Sequence, residues 1–271
     1  MSLACSAFPA RSDPMGVVSQ TGTADSASYN DGDFTRPETS VTTRFEFRSS
    51  SSSSSSTKRE REILQYNSKL DLGSGWKLGT QIQIPFVEKA TTTFGQANSE
   101  SGAGLANAVF QTALIHTIDT RWAYGFGARL VAPTADASLG TDPWQIMPAI
   151  GIRYSFLGIA PDTYFVPVVR YAISFGGNPF ARIIREPQIA PTLNIGLPGR
   201  WFVTFYPSND IRINYGTPIS GQTGRLFLPL DVAVGKKILN NLVVSLEGSV
   251  PIIRDYPVYD FKTELKVTWQ F

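Results

Sequence analysis

The chain ends on "KTELKVTWQF" (residues 262–271), and the reading of this stretch decides the fold. Counting from Phe261, every second position is apolar or aromatic except Thr263: Leu265, Val267, Trp269 and Phe271. Lys262, Glu264, Lys266, Thr268 and Gln270 stand between them. A period of two is a strand signal, with one face in an apolar medium and the other in a polar one. A soluble sheet would have to bury the apolar face, yet this one would end on an exposed Trp269 and Phe271.

The same alternation runs back along the chain. "SVTTRFEFR" (40–48) sets Val41, Thr43, Phe45 and Phe47 against Arg44, Glu46 and Arg48. "LQYNSKLDL" (64–72) sets Leu64, Tyr66, Leu70 and Leu72 against Gln65, Asn67, Lys69 and Asp71. "WKLGTQIQIPF" (76–86) sets Trp76, Leu78, Ile82, Ile84 and Phe86 against Lys77, Gln81 and Gln83. Further strands fall near 105–118, 122–131, 144–154, 163–175, 188–197, 201–215, 225–235, 242–251 and 260–271, giving about twelve and no helix. Pro148, Pro167, Pro191 and Pro229 lie inside four of them, where each removes a ladder donor. Short links such as "GSG" (73–75), "DTR" (119–121) and "PGR" (198–200) alternate with longer ones at 49–62, 87–104, 132–143, 176–187, 216–224 and 252–259. Together these predict an all-β fold: an antiparallel transmembrane barrel with both termini on the short-turn, periplasmic side.

Composition narrows the alternatives. Charged residues are 17% of the 271, and the net charge of +2 gives no case for a nucleic-acid partner. One cysteine, Cys5, and one histidine, His116, leave little for a disulfide, a zinc site or a Cys/His catalytic pair. No cofactor or metal is expected, and an enzyme, such as a barrel hydrolase, is the minor reading. No apolar run approaches the roughly 18 residues of a membrane helix, which says nothing against a barrel. Residues 1–39 are rich in Ser, Thr, Asp, Gly and Pro and read as a flexible leader outside the wall, with 40–271 the barrel. The first residues make no signal peptide as they stand, so one is expected to be removed or truncated.

Aromatic placement supports a membrane. Trp76, Trp122 and Trp201 each follow a short turn on the apolar phase, and Trp269 and Phe271 close the last strand at the same end. Amphipathic rings favour the membrane–water interface, so these five form a predicted girdle. The charged phase is then predicted to line the lumen: Arg44, Glu46, Arg48, Lys69, Asp71, Lys77, Gln81, Gln83, Arg129, Arg153, Arg170, Asp231, Glu247, Lys262, Glu264 and Lys266. Basic groups outnumber acidic ones there, which favours anions if the pore is open. His116 shares its phase with Phe110 and Leu114 and is expected to face lipid. "TKRERE" (57–62) is expected at an outer loop or strand top, and Ser49 to Ser56 in a mobile loop. Asp136 and Asp142 lack the spacing of a calcium loop.

Several stretches resemble the outer-membrane transporter family linked to the meta-pathway of phenol degradation. They are "GLAN" (104–107), where that family has Gly-Leu-Gly-Asp, "APTADASLG" (132–140), "QIAPTLNIGLPGRW" (188–201) and "VGKK" (234–237). The resemblance spans most of 40–271 and implies a Gram-negative outer-membrane barrel for passive passage of small solutes, aromatic ones among the candidates. A non-conducting structural or adhesive barrel is the alternative. The expected partners are membrane lipids including lipopolysaccharide, the outer-membrane assembly machinery through the C-terminal strand, and an unknown small solute.

Overall fold

The computed structural model describes residues 33–51, 55–94, 99–136, 139, 143–177 and 180–271. Its strands are β1 (Ser40–Ser51), β2 (Ser55–Gly73), β3 (Trp76–Thr93), β4 (Ser99–Leu105), β5 (Val109–Thr117), β6 (Trp122–Val131), β7 (Trp144–Ser155), β8 (Tyr164–Phe175), β9 (Arg185–Leu197), β10 (Trp201–Phe205), β11 (Ile211–Ile213), β12 (Leu226–Leu239), β13 (Leu242–Arg254) and β14 (Phe261–Gln270). Each pairs antiparallel with its neighbours, and β14 returns to β1 from Ser40↔Gln270 to Ser49↔Phe261, which closes the ring. β4 and β5 both pair with β3 and are one wall strand in two pieces. β10 and β11 both lie between β9 and β12 and are another. The wall therefore has twelve strands, as the alternation predicts.

The phase is inverted relative to a soluble protein. On β14, Glu264 is 1% exposed while its neighbour Leu265 is 40% exposed. The pattern repeats around the wall: Gln65, Gln81, Gln188 and Thr204 are buried, whereas Leu64, Ile82, Ile84, Phe110, Phe126 and Ile150 face outward. A continuous apolar exterior of this kind is stable in lipid. The chain is a transmembrane β-barrel, its outer face against membrane lipid.

Proline shapes the wall where it falls in a strand. The β7–β8 ladder passes from Ile146↔Ile173 to Ala149↔Arg170, skipping Pro148, and from Gly151↔Val168 to Tyr154↔Phe165 beside Pro167. Pro167 and Pro191 stand opposite each other across β8–β9. Pro229 sits at a register shift of β12. The missing N–H groups collect at these positions and the ring closes around them.

Two of the predicted long links are mostly strand. β2 and β3 run 19 and 18 residues, so Ser49–Ser51 belong to β1, Ser55 and Ser56 to β2, and 87–93 and 99–104 to a β3–β4 hairpin. Thr57 and Thr91 hydroxyls bond across this extension at 3.1 Å. Alternating small hydroxyl residues satisfy a two-sided polar strand, which composition alone reads as loop. Residues 52–54 of the serine run, Asp142 and residues 1–32 of the leader lie outside the described residues.

Substitution across the wall should report the phase. Ile82→Arg places a charge on the lipid face and should cost about 2–4 kcal/mol in urea unfolding from vesicles. Gln83→Arg should cost only about 1 kcal/mol, from the lost bonds of Gln83 Nε2 to Gln65 and Gln81. Equal losses would contradict the assignment of faces.

Candidate functional site: the barrel lumen

On one side the lumen wall is a closed ionic and amide network. Arg44 grips Glu264 through Nε and Nη2, both at 2.8 Å. Lys262 lies among Glu247, Glu264 and Glu46, at 3.3 Å from Glu264. Arg48 and Arg61 share Glu46, at 2.7 and 3.2 Å. Toward the short-turn end, Gln83, Gln65, Gln81 and Asn67 form an amide ladder that ends on Ser40. Buried charges need such pairing, because an unpaired ion away from bulk water loses its hydration.

Among the described residues, two backbone segments cross the lumen below its long-loop end. The first is a strap, residues 33–39, at the short-turn end. Phe34 packs on Tyr164, Val166, Val168 and Ala190. Its ring lies so close to Gly125 and Gly151 that a Cβ there would stand 2.7 and 3.0 Å from ring carbons. Arg36 reaches Asp162 at 3.3 Å and stacks 4.8 Å from the Tyr164 ring centroid, while Pro37 lies over Gly79. The inner face of β8 is therefore apolar at Tyr164, Val166 and Val168, where a charged lining was expected. Phe34 supplies the reason, since that patch is covered by the chain's own segment.

The second segment is residues 206–210, which bend inward where β10 breaks from β11. Tyr206 adopts a left-handed φ of 52°, and its hydroxyl donates to Pro229 O at 2.9 Å. Asp210 accepts from Arg170 with both oxygens at 3.0 Å. On the opposite flank, Ser208 and Asn209 donate to Glu247 at 2.6 and 3.1 Å, and Asn209 N donates to Asp231 at 3.1 Å. This segment thus braces β8 against β12 and β13 across the lumen.

Between it and the β1–β7 wall lies a cavity of about 250 Å³. Its charged lining is Arg44, Arg48, Arg61, Arg129, Arg170 and Arg212 against Glu46 and Asp210, six guanidiniums to two carboxylates. Ile63, Val109, Val131 and Met147 form an apolar part of the same lining.

Of the residues named from sequence, Arg44, Glu46, Gln81, Gln83, Arg153, Arg170, Asp231, Glu247, Lys262, Glu264 and Lys266 are buried on the inner face. Arg48, Arg129 and Lys77 are half-buried, and Lys69 and Asp71 are exposed beside the Gly73–Gly75 turn. Sequence reading missed Arg61, which lies within β2 although its stretch was expected at an outer loop or strand top, and Asp210 and Arg212, because the break between β10 and β11 was read as one continuous strand. Counting by two from Gln65 would have reached Arg61, but Ile63 interrupts the polar phase.

The long-loop end is partly covered from within. Leu139 and Ala135 pack on Val87 and Ala106. Phe227, Tyr256 and Tyr259 form a second cluster. Burial, then the neighbouring Glu186 carboxylate, pushes the Tyr256 phenol up to about 12, so it stays a donor to Glu186 Oε1 at 2.6 Å.

Trp76, Trp122, Trp201 and Trp269 stand at the short-turn end on the outer phase, with Trp122 4.6 Å from Tyr154. His116 is on the same face, 4.6 Å from Trp76 and 5.4 Å from Tyr124. Trp144 and Phe175 meet at the other end, 6.5 Å apart, a second rim that the sequence reading did not name. Single-tryptophan variants in lipids brominated near the headgroup should all be quenched, and a tryptophan that escaped quenching would lie in the lumen instead.

The profile of the family described as "MetA-pathway of phenol degradation" matches residues 24–178. No curated protein matches the sequence. Among solved structures, the chain is similar to an outer membrane channel from Pseudomonas putida F1, with 14% identity, a TM-score of 0.66, and coverage of 90% of this chain and 100% of that one. It also resembles the transport unit of the autotransporter AIDA-I from Escherichia coli, with 8% identity, a TM-score of 0.53, and 92% and 94% coverage. The NanC porin gives 8% identity, a TM-score of 0.50, and 85% and 100% coverage. At these identities the likeness is one of fold.

Proposed function

The chain belongs to that family, whose profile covers more than half of it, and on this premise we propose that it is a passive outer-membrane channel for small solutes with a preference for anions. The observation that carries the reading is the surplus of six guanidiniums over two carboxylates around the central cavity. In a narrow lumen water screens poorly, so the surplus raises the local concentration of anions. In this reading the inner-face residues named above line the pathway, and residues 1–39 are a leader whose last turn sits in the pore. The short turns and both termini face the periplasm, and the girdle of Trp76, Trp122, Trp201, Trp269 and Phe271 marks that interface. The long-loop rim meets lipopolysaccharide, and the aromatic C-terminal strand presents the signal read by the assembly machinery.

Reversal potentials across a planar bilayer under a salt gradient test the proposal. The expected result is anion preference that shrinks as salt rises, because the Debye length falls from about 10 Å at 0.1 M to about 3 Å at 1 M. Replacing Arg129 and Arg153 with Gln should move the reversal potential toward zero. Cation preference would refute the lining. The inserted strap favours one other reading, a barrel that does not conduct, and absence of any current from folded protein would select it.

A further inference from the structure

The central cavity is amphipathic, and its two halves are set by register. Val109 pairs with Val131 across β5–β6, and Arg129 pairs with Met147 across β6–β7. An apolar patch from three strands therefore abuts a guanidinium. Arg170 pairs with Gln188 across β8–β9, and Gln188 pairs with Arg212 across β9–β11, so a polar row of two guanidiniums and an amide continues from it. Arg129 Nε donates to Gln111 Oε1 at 2.9 Å, which orients its guanidinium. Arg170 is held by Asp210. Arg212 differs from these two: its buried Nε–H, like that of Arg48 in the same lining, has no acceptor among the described residues. A buried guanidinium N–H without an acceptor is costly, and an anionic oxygen is the partner that such a group takes best.

We propose that this cavity is a binding site for a small organic monoanion with an apolar body, its carboxylate on Arg212 and Arg129 and its hydrocarbon against Val109, Val131 and Met147. The proposal rests on the channel reading above and names the solute class for which that lumen is shaped. A free inorganic anion would leave the apolar patch wet, and a neutral alcohol or phenol would leave the Arg212 N–H groups without a charged partner. At about 250 Å³ the space falls below the roughly 300–1,000 Å³ of sites for drug-sized ligands, so the occupant has on the order of ten non-hydrogen atoms. A ring or short branched chain bearing one carboxylate meets all three conditions.

Calorimetric titration of the full chain in detergent tests the site without requiring current. The probes are benzoate, cyclohexanecarboxylate, acetate and benzyl alcohol. The two cyclic carboxylates should bind, and each should also reduce chloride current in planar bilayers over the same concentration range. Acetate, which lacks the body, and benzyl alcohol, which lacks the charge, should each bind at least about tenfold more weakly. Arg212→Gln should weaken benzoate about tenfold through the lost charge-assisted bonds. Val131→Thr, which adds a hydroxyl at nearly constant volume, should weaken benzoate but not acetate. Heat-dependent gel mobility identifies folded variants, and Val131→Thr decides the case if Arg212→Gln does not fold. Acetate equal to benzoate, benzyl alcohol equal to benzoate, or benzoate binding unchanged in Arg212→Gln would each overturn the proposal. Benzoate binding with no current at all would sustain the site while removing the channel, so the two readings fail separately.

Discussion

Removing residues 1–38 should raise single-channel conductance by about twofold or more, because the strap occupies lumen that a twelve-stranded ring otherwise leaves open. Phe34, Arg36 and Pro37 bear on opposite walls, at Tyr164, Asp162 and Gly79. Among the described residues the strap is held by a few contacts, Phe34 on β8, Arg36 with Asp162 and Tyr164, and Pro37 on Gly79, and burial of one half-covered phenylalanine contributes no more than about 2 kcal/mol. Nothing in the ladder from β1 to β14 passes through it, so the truncated barrel should fold. Phe34→Ala should give a smaller rise of the same sign. Unchanged conductance in the truncated protein would show that ions pass beside the strap, and the limiting section would then lie at residues 206–210.

The second large effect is on stability. Glu264→Ala should cost about 3–5 kcal/mol, because it strands Arg44 and takes one of three carboxylates from Lys262, all essentially shielded from water. Urea unfolding followed by gel mobility gives the number. Lys69→Ala, on the same inner phase but exposed beside a turn, should stay within about 0.5 kcal/mol. Replacing the pair together, Arg44→Met with Glu264→Leu, should recover most of the loss, since no unpaired ion remains. Similar losses in the single and double variants would mean that packing at this site, rather than charge, sets the cost.

The wall was legible in the sequence because membrane and lumen impose the same two-residue period on every strand. Phe45, Ile82, Leu265 and Trp269 announce the outside, and Arg44, Gln83 and Glu264 the inside. What escaped were features with no period. The strap reads as leader, because nothing local in "DFTRPE" (33–38) says that Phe34 meets β8. The stretch "YPSND" (206–210) was read through as part of one strand over 201–215, so its inward bend was not foreseen and Asp210 and Arg212 were not assigned to the lumen. The β2–β3 extension was hidden in a serine run and a charge run, where side chains alternate between two polar surroundings and leave no contrast to read.

The bond from Phe271 N to Thr39 O, 2.9 Å, joins the last residue to the one before β1. It lies at the seam where β14 meets β1, and Ser40 and Gln270 are paired there although 230 positions apart in the chain. Loop closure over that separation carries an entropy cost on the order of 5 kcal/mol, which only the completed seam ladder offsets. The seam is thus the pairing most delayed by chain topology. The strap begins one residue from that seam and runs inward, so the order of events is constrained. Either residues 33–39 are already inside when the first and last strands zip together, or they must enter afterwards through the open rim. Sealing of this barrel is therefore a kinetic decision about where its own N-terminal segment will lie.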